Sequence, residues 1–301
     1  MNQPRLALLI GILCISIFPV LVRLNLVPSL SSAFYRMAIA AVLLVPYAIF
    51  TKQFKGYSLK LTALMVLAGV IMGSDVAVWN IAIVGSSATQ ATLLTNLAPV
   101  WVGIGSYFIL QIKPTTNFWW GTLIALIGMV VLVGIDVFVE LRFDQAFIFG
   151  VLSGVFYASY MLLSKRILQE VPVVAFMSIT LLSSAIYLGI WCVISGEPLA
   201  GFSNWGWGVL LIQGIVCQLM AWLLISYATK YMRATRVSLS LLSQALLASL
   251  LAWMFLNEEI NAQMIVGGII VLIGIGITFF DSAGSSLEKF RKLKKGKQHN
   301  R

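Results

Sequence analysis

The chain alternates between long apolar runs and short polar connections along almost its whole length. A helix that crosses the hydrocarbon core of a bilayer needs about 20 mostly apolar residues. Ten runs meet this requirement and predict spanning helices near residues 6–24, 30–50, 61–83, 89–111, 117–136, 146–165, 173–195, 205–228, 234–256 and 262–281. The connections leave no room for a soluble domain, so the pattern predicts an all-α membrane protein with ten transmembrane helices.

Composition agrees with this prediction, since 60% of the residues are hydrophobic and only 10% are charged, whereas soluble domains are about a quarter charged. The first apolar run is expected to be a retained helix, because no small-residue cleavage site follows it. The three cysteines lie in apolar runs as small core residues, and the single histidine, His299, lies in the tail. With no phosphate-binding loop or metalloprotease motif in the sequence, we expect no metal, no cofactor and no enzymatic activity.

The distribution of lysine and arginine predicts the orientation. If the N-terminus lies in the cytoplasm, 17 of these residues fall on the inner side, only Arg23 and Arg142 fall outside, and Arg36 lies within a span. We therefore expect a multi-pass protein of the cytoplasmic membrane with both termini inside the cell. Seven of the basic residues lie between Lys289 and Arg301, and such a tail is expected to contact anionic lipid and not nucleic acid.

The second half of the chain repeats the first half. An offset of 146 residues aligns the fourth and fifth predicted helices with the ninth and tenth. The matches are Ala88-Thr89 with Ala234-Thr235, Gly121 with Gly267, Gly128 with Gly274 and, at a slightly different offset, Ala33-Phe34 with Ala175-Phe176. We predict one repeat over 1–140, a second over 141–284 and a basic tail over 285–301. Because five helices are an odd number, the two repeats are inverted, an arrangement typical of transporters.

Polar residues inside the apolar runs are candidates for a substrate site, because lipid does not tolerate them. Asp75 and Trp79 lie four residues apart and share a helix face, with Asn80 beside it. Arg36 lies at a depth similar to that of Asp75. The two charges either neutralise each other or clamp a zwitterion, or else Arg36 reaches back to the outer interface.

The fourth predicted helix carries Thr92, Asn96 and Pro99 close together. Proline lacks an N–H group and clashes with the carbonyl four residues earlier, so a kink is expected there. The alternatives are a hinge with an amide that binds substrate, or a packing kink. Gln244 is the expected counterpart of Asn96 in the second repeat. Further candidates for the lining of the site are Tyr157, Tyr160, Gln213 and Gln218, and ordinary packing is the alternative for each of them.

Three segments resemble the drug/metabolite transporter superfamily of the EamA type. They are PSLSSAFYRMAIAAVLLVP, SSATQATLLTNLAPVW and RATRVSLSLLSQALLASLLAWMFLNEEI, which is followed by a glycine-rich last helix. The resemblance implies ten helices in two inverted repeats and transport of small metabolites, often export. One departure is that Gln111-Ile112-Lys113 stands where the family commonly has an acid, whereas the second repeat keeps Glu258 and Glu259.

We therefore expect a secondary transporter that moves a small organic solute, such as an amino acid, by alternating access, with proton coupling through Asp75. The alternatives are an intramembrane enzyme or lipid-handling scaffold, and a passive channel. The expected partners are the small-molecule substrate and membrane lipid, and the protein is expected to be a monomer or a homodimer.

Overall fold

The computed structural model describes residues 3–54, 56–85, 94–134, 145–256 and 259–298. The helices in these ranges are α1 Gln3–Arg23, α2 Ser29–Phe50, α3 Leu59–Gly85, α4 Ala98–Phe108, α5 Thr116–Val133, α6 Gln145–Ile167, α7 Val173–Ile194, α8 Asn204–Ile212, α9 Ala221–Tyr231, α10 Ala234–Ser240, α11 Ser243–Leu256 and α12 Ala262–Gln298. Nine segments of this described part are long and apolar enough to cross a membrane. The prediction of an all-helical membrane protein is confirmed.

Three of the predicted spans, the fourth, the eighth and the ninth, are not continuous α-helices in the described residues. The eighth span consists of α8, a π-helical segment over Gln213–Met220, and α9. The ninth span is divided into α10 and α11. Near this division the Ser243 hydroxyl donates to the Ser240 carbonyl at 2.7 Å and the Ser238 hydroxyl to the Thr235 carbonyl at 3.0 Å. Serine side chains that bond to nearby carbonyls in this way compete with the regular helical pattern.

The last helix is longer than predicted. The sequence pattern placed its end near residue 281 and a separate basic tail beyond it, but α12 continues to Gln298. The reason is that residues 285–298 contain no proline and a single glycine, so good helix formers such as lysine and leucine extend the last span without interruption.

The two halves of the chain make equivalent helix contacts, so a contact in one repeat has a counterpart when the repeats are exchanged. In the first repeat, α3 and α4 both pack on α6 of the second repeat. In the second repeat, the corresponding helices α9 and α11 both pack on α1 of the first repeat. The pairs α2–α7 and α5–α12 are each made of one helix and its own counterpart. In the first pair, Gly189 near the end of α7 lies against Phe34 near the start of α2, and Ser178 donates to the Leu44 carbonyl. The two helices are therefore antiparallel, as inverted repeats require.

Glycines bring the counterpart helices α5 and α12 into backbone contact. A Cβ atom on Gly121 would lie 2.5 Å from the Gly274 carbonyl oxygen, and one on Gly128 would lie 2.8 Å from the Gly267 carbonyl oxygen. These are the four glycines that the 146-residue offset aligned. Small residues at helix interfaces allow such close approach in membranes.

The offset between the repeats changes slightly along the chain. Gly214 in the π-helical segment packs against Ile39 of α2, and Gly69 of α3 packs against Ser183 of α7. If these contacts correspond under the exchange of repeats, the offset is 145 residues for Gly69 and Gly214 and 144 residues for Ile39 and Ser183, compared with 146 residues for the fourth and ninth spans. A π turn closes its hydrogen bond one residue further along the chain than an α turn, so a π-helical segment can accommodate an additional residue.

A single lysine caps the C-terminal end of the eighth span. The Lys165 ammonium group at the end of α6 donates to the carbonyl oxygens of Thr229, Lys230 and Met232, at 2.9, 2.8 and 2.8 Å. Because the last carbonyls of a helix have no partner within the helix, these bonds satisfy acceptors that would otherwise be open. They also tie α6 to α9.

Replacing Lys165 by methionine is expected to destabilise the protein by about 2 kcal/mol, because three acceptors lose a charged donor. The midpoint of thermal unfolding in detergent measures the change. Arg166→Met is the matched control, since Arg166 is the exposed neighbour of Lys165 on the same helix. Equal midpoints for the two variants would contradict this role of Lys165.

Candidate functional site

The carboxylate of Asp75 is the centre of a polar connection between three spans. The Ser153 hydroxyl on α6 donates to Asp75 Oδ1 at 2.6 Å. The Ser153 oxygen also lies 3.2 Å from the Thr95 hydroxyl of the fourth span. Asp75 is half-buried and points towards α6. The three residues link α3, α6 and the fourth span at one place in the interior.

Two glycines of α6 make this connection possible. A Cβ atom on Gly150 would lie 2.7 Å from Leu94 Cδ1, and one on Gly154 would lie 3.3 Å from the Leu94 carbonyl oxygen. The fourth span therefore reaches α6 closely enough for Thr95 to meet Ser153. Neither Ser153 nor Thr95 was predicted as a site residue from the sequence. The available signal was the position of Ser153 between the two glycines of a GxxxG pair.

The fourth span is interrupted beside this connection. Asn96 and Leu97 form a turn, and α4 begins at Ala98 with Pro99 in its first turn. The Asn96 side chain is buried, and its Nδ2 atom has no hydrogen-bond partner among the described residues. The second repeat is interrupted at the corresponding place, between α10 and α11. Thr92 lies outside the described residues, and a hinge role for Pro99 stays a prediction.

Arg36 lies in the protein interior and does not reach back to the outer interface. Its side chain is 8% exposed, and its guanidinium carbon lies 4.3 Å from the centre of the Phe18 ring on α1. A cation over an aromatic ring face is stabilised electrostatically. The Arg36 Nε atom is buried and has no partner among the described residues.

Arg36 and Asp75 do not neutralise each other directly. The described side chains include no ion pair between them, and the Asp75 carboxylate accepts its hydrogen bond from Ser153 instead. Similar depth in the membrane was not sufficient for contact, because the two side chains leave their helices in different directions. Two opposite charges therefore lie within one interior without a common hydrogen bond.

The π-helical segment contributes two buried amides next to α2. Gln213 is 2% exposed and accepts a hydrogen bond of 2.5 Å from the Ser32 hydroxyl. Gln218 is fully buried, and neither its Oε1 nor its Nε2 atom has a partner within the described part of the chain. Arg36 on α2 and Gln218 on the π-helical segment that packs against α2 thus both carry buried polar atoms without a partner among the described residues.

The three aromatic candidates differ in burial: Tyr160 lies in the core, and Tyr157 and Trp79 are half-buried. Tyr160 is 2% exposed and belongs to the core, where its ring packs on Phe176 and Trp222. Tyr157 is half-buried, with its ring centre 6.4 Å from that of Trp222. Trp79 is half-buried on α3.

Asn80 and Gln244 lie away from the carboxylate of Asp75. Asn80 accepts a hydrogen bond from Ser29 at the start of α2 and donates to the Val76 carbonyl at 2.8 Å. It therefore joins α2 to α3. Gln244 is half-buried in the first turn of α11. No contact described here joins either residue to Asp75, and their role in a site stays a prediction.

The fold and its polar interior define a class of protein. A chain of spanning helices in two antiparallel units, with interrupted helices and buried charges that form no ion pair with each other, has the architecture of a membrane transporter.

The comparisons with known proteins agree with this class. The sequence profile described as the EamA-like transporter family matches residues 5–134 and 145–280. An uncharacterized transporter of Clostridium kluyveri is 27% identical over 85% of this chain and 84% of its own. The uncharacterized transporter YdfC of Bacillus subtilis is 21% identical over 82% of this chain and 80% of its own. The chain belongs to the EamA-like transporter family, within the drug/metabolite transporter superfamily, and is a multi-pass membrane transporter.

A solved structure supports the same fold. It is described as a crystal structure of a protein, superposes with a TM-score of 0.78, and covers 92% of this chain and 97% of its own at 16% identity. At this level of identity the likeness concerns the fold alone.

Proposed function

We propose that the protein exports a small zwitterionic metabolite of the amino-acid type by alternating access of its two repeats, in exchange for protons. The observation that carries this proposal is the pair of unneutralised charges in one interior, Asp75 and Arg36. A ligand that carries both an ammonium and a carboxylate group would satisfy both charges. Export and a cytoplasmic location of both termini rest on the family resemblance and on the distribution of basic residues.

The carboxylate end of such a substrate is assigned to Arg36 and Gln218. Buried polar atoms normally have a hydrogen-bond partner, and one without a partner costs about 1–3 kcal/mol. The Arg36 Nε and Gln218 Nε2 atoms lack a partner among the described residues, and a substrate carboxylate accepts bonds from both donors. Hydrogen bonds between a guanidinium and a carboxylate are also stronger than neutral ones.

The ammonium end is assigned to Asp75, which is also the proposed proton carrier. A carboxyl group that binds either a proton or a cationic substrate exchanges one for the other, as antiport requires. Ser153 connects this carboxylate to Thr95, one residue before the break in the fourth span. A change in the charge of Asp75 therefore acts on a segment whose regular helix is already interrupted.

Transport by reconstituted protein tests the proposal. Proteoliposomes are loaded with a neutral amino acid, its decarboxylated amine, its deaminated acid or a nucleoside, and efflux is measured with and without a pH gradient. The amino acid is expected to leave at least about tenfold faster than the other three solutes, because only the amino acid satisfies both charges. Equal efflux of the amine or of the nucleoside would contradict a zwitterion site.

Counterflow of labelled against unlabelled substrate is the second readout. A transporter that alternates access shows counterflow, and a passive channel does not. A high flux without counterflow would contradict alternating access and would indicate a passive channel.

A further inference from the structure

The lipid-facing surface where α4 and α5 meet contains a groove of about 320 Å³. One wall comes from the end of α4, the other from the start of α5, and a lysine of the connection stands at its rim. The groove is lined by Ile104, Tyr107, Phe108, Lys113, Thr116 and Trp119. It is separate from the polar interior described above. We propose that this groove, here named the α4–α5 groove, binds an anionic phospholipid from the bilayer.

The walls of the α4–α5 groove suit an acyl chain. Phe108 is 73% exposed and Tyr107 is 55% exposed, and in a membrane protein such exposed side chains meet lipid. Gly103 forms part of the groove, where a Cβ atom would lie 2.6 Å from Phe118 and 2.9 Å from Trp119. The absence of a side chain at Gly103 lets the aromatic rings of α5 close the groove from one side.

The connection between the helices holds Lys113 at the rim. The Ser106 hydroxyl on α4 donates to the Ile112 carbonyl at 3.1 Å, and the Ile112 N–H donates to the Ser106 carbonyl at 3.0 Å. On the other side, the Thr115 hydroxyl accepts a hydrogen bond from the Phe118 N–H and caps α5. Lys113 lies between these two fixed points.

The positive charge of Lys113 favours a lipid with an anionic headgroup. Lys113 is exposed, and no ion pair with it is found within the described ranges. A basic residue beside aromatic side chains at a membrane interface attracts an anionic headgroup. The offset of 146 residues places Glu259 at the corresponding position of the second repeat. At that position the second repeat carries an exposed acid and not a cation.

Native mass spectrometry of the delipidated full-length protein in detergent tests the proposal, with dioleoyl phosphatidylglycerol and dioleoyl phosphatidylcholine as probes. The wild type is expected to bind the first phosphatidylglycerol at least about fivefold more tightly than Lys113→Gln. Phosphatidylcholine binding should be the same for both proteins. The basic tail is present in every variant, so its own attraction for the anionic lipid cancels in the comparison.

Two further variants distinguish the effect of the charge at Lys113 from that of the shape of the α4–α5 groove. Lys60→Gln removes an exposed lysine from the start of α3 and is expected to leave phosphatidylglycerol binding unchanged. Phe108→Ala opens the apolar wall and is expected to weaken the binding of both lipids. Unchanged phosphatidylglycerol affinity in Lys113→Gln, or an equal loss in Lys60→Gln, would overturn the site. Lipid binding is measured without transport, so its failure leaves the proposed function untouched.

Discussion

Transport by the Asp75→Asn protein is expected to respond at least about tenfold less to an imposed pH gradient than transport by the wild type. The amide carries neither a charge nor an exchangeable acidic proton, although its oxygen can still accept the hydrogen bond from Ser153. Because the variant is nearly isosteric, the break in the fourth span keeps its neighbours. Efflux from proteoliposomes, measured at equal pH and with an acidic exterior, gives the response.

The control for this variant is Glu259→Gln, which removes the same chemical group from an exposed connection. Its response to the gradient should equal that of the wild type. Size-exclusion profiles and helical content of both variants establish that they fold. If Asp75→Asn keeps the full response, the proton is carried elsewhere and the proposed coupling fails.

An alanine at Gly267 is expected to lower the stability of the fold by about 3 kcal/mol, because overpacking of a tight interface forces backbone shifts. The new Cβ atom would lie 2.3 Å from the Leu132 nitrogen and 2.5 Å from its Cα. Both atoms belong to the backbone of α5, which cannot rotate away as a flexible side chain does. The thermal midpoint of the purified protein in detergent measures the loss.

Gly276→Ala is the matched control, since it lies on the same helix and has no atom within 4 Å of an added Cβ. Its midpoint should stay within a degree or two of the wild-type value. A Gly267→Ala protein as stable as Gly276→Ala would show that α5 and α12 separate without cost.

Much of the architecture follows from the sequence because its causes are local or periodic. The length of each apolar run determines a span, and the 146-residue offset selected four glycines that meet in pairs between α5 and α12. A glycine match at a fixed offset carries spatial information, because both members face the axis that relates the repeats.

The site was less accessible to sequence reasoning. Position along a helix gives the depth of Arg36 and Asp75, but the rotation of each helix decides what a side chain meets. The structure pairs Asp75 with Ser153 and places Arg36 over Phe18. A single serine hardly changes the hydropathy of an apolar run, so the sequence pattern did not indicate Ser153.

The sequence did not predict the π-helical segment, for a different reason. A π-helical stretch is as apolar as an α-helical one, so neither the length nor the hydropathy of the eighth span indicates it. The offset of 145 residues between Gly69 and Gly214, one residue smaller than that of the spans that follow, is apparent only from the packing of these glycines against α7 and α2.

The wide turns of the eighth span also limit the symmetry of the working cycle. The counterpart of the segment in α3 is the stretch just before Asp75, which winds as a regular α-helix. Under the proposed alternating access, α3 and the eighth span exchange environments with different backbone shapes, so the two end states are not exact mirror images of each other.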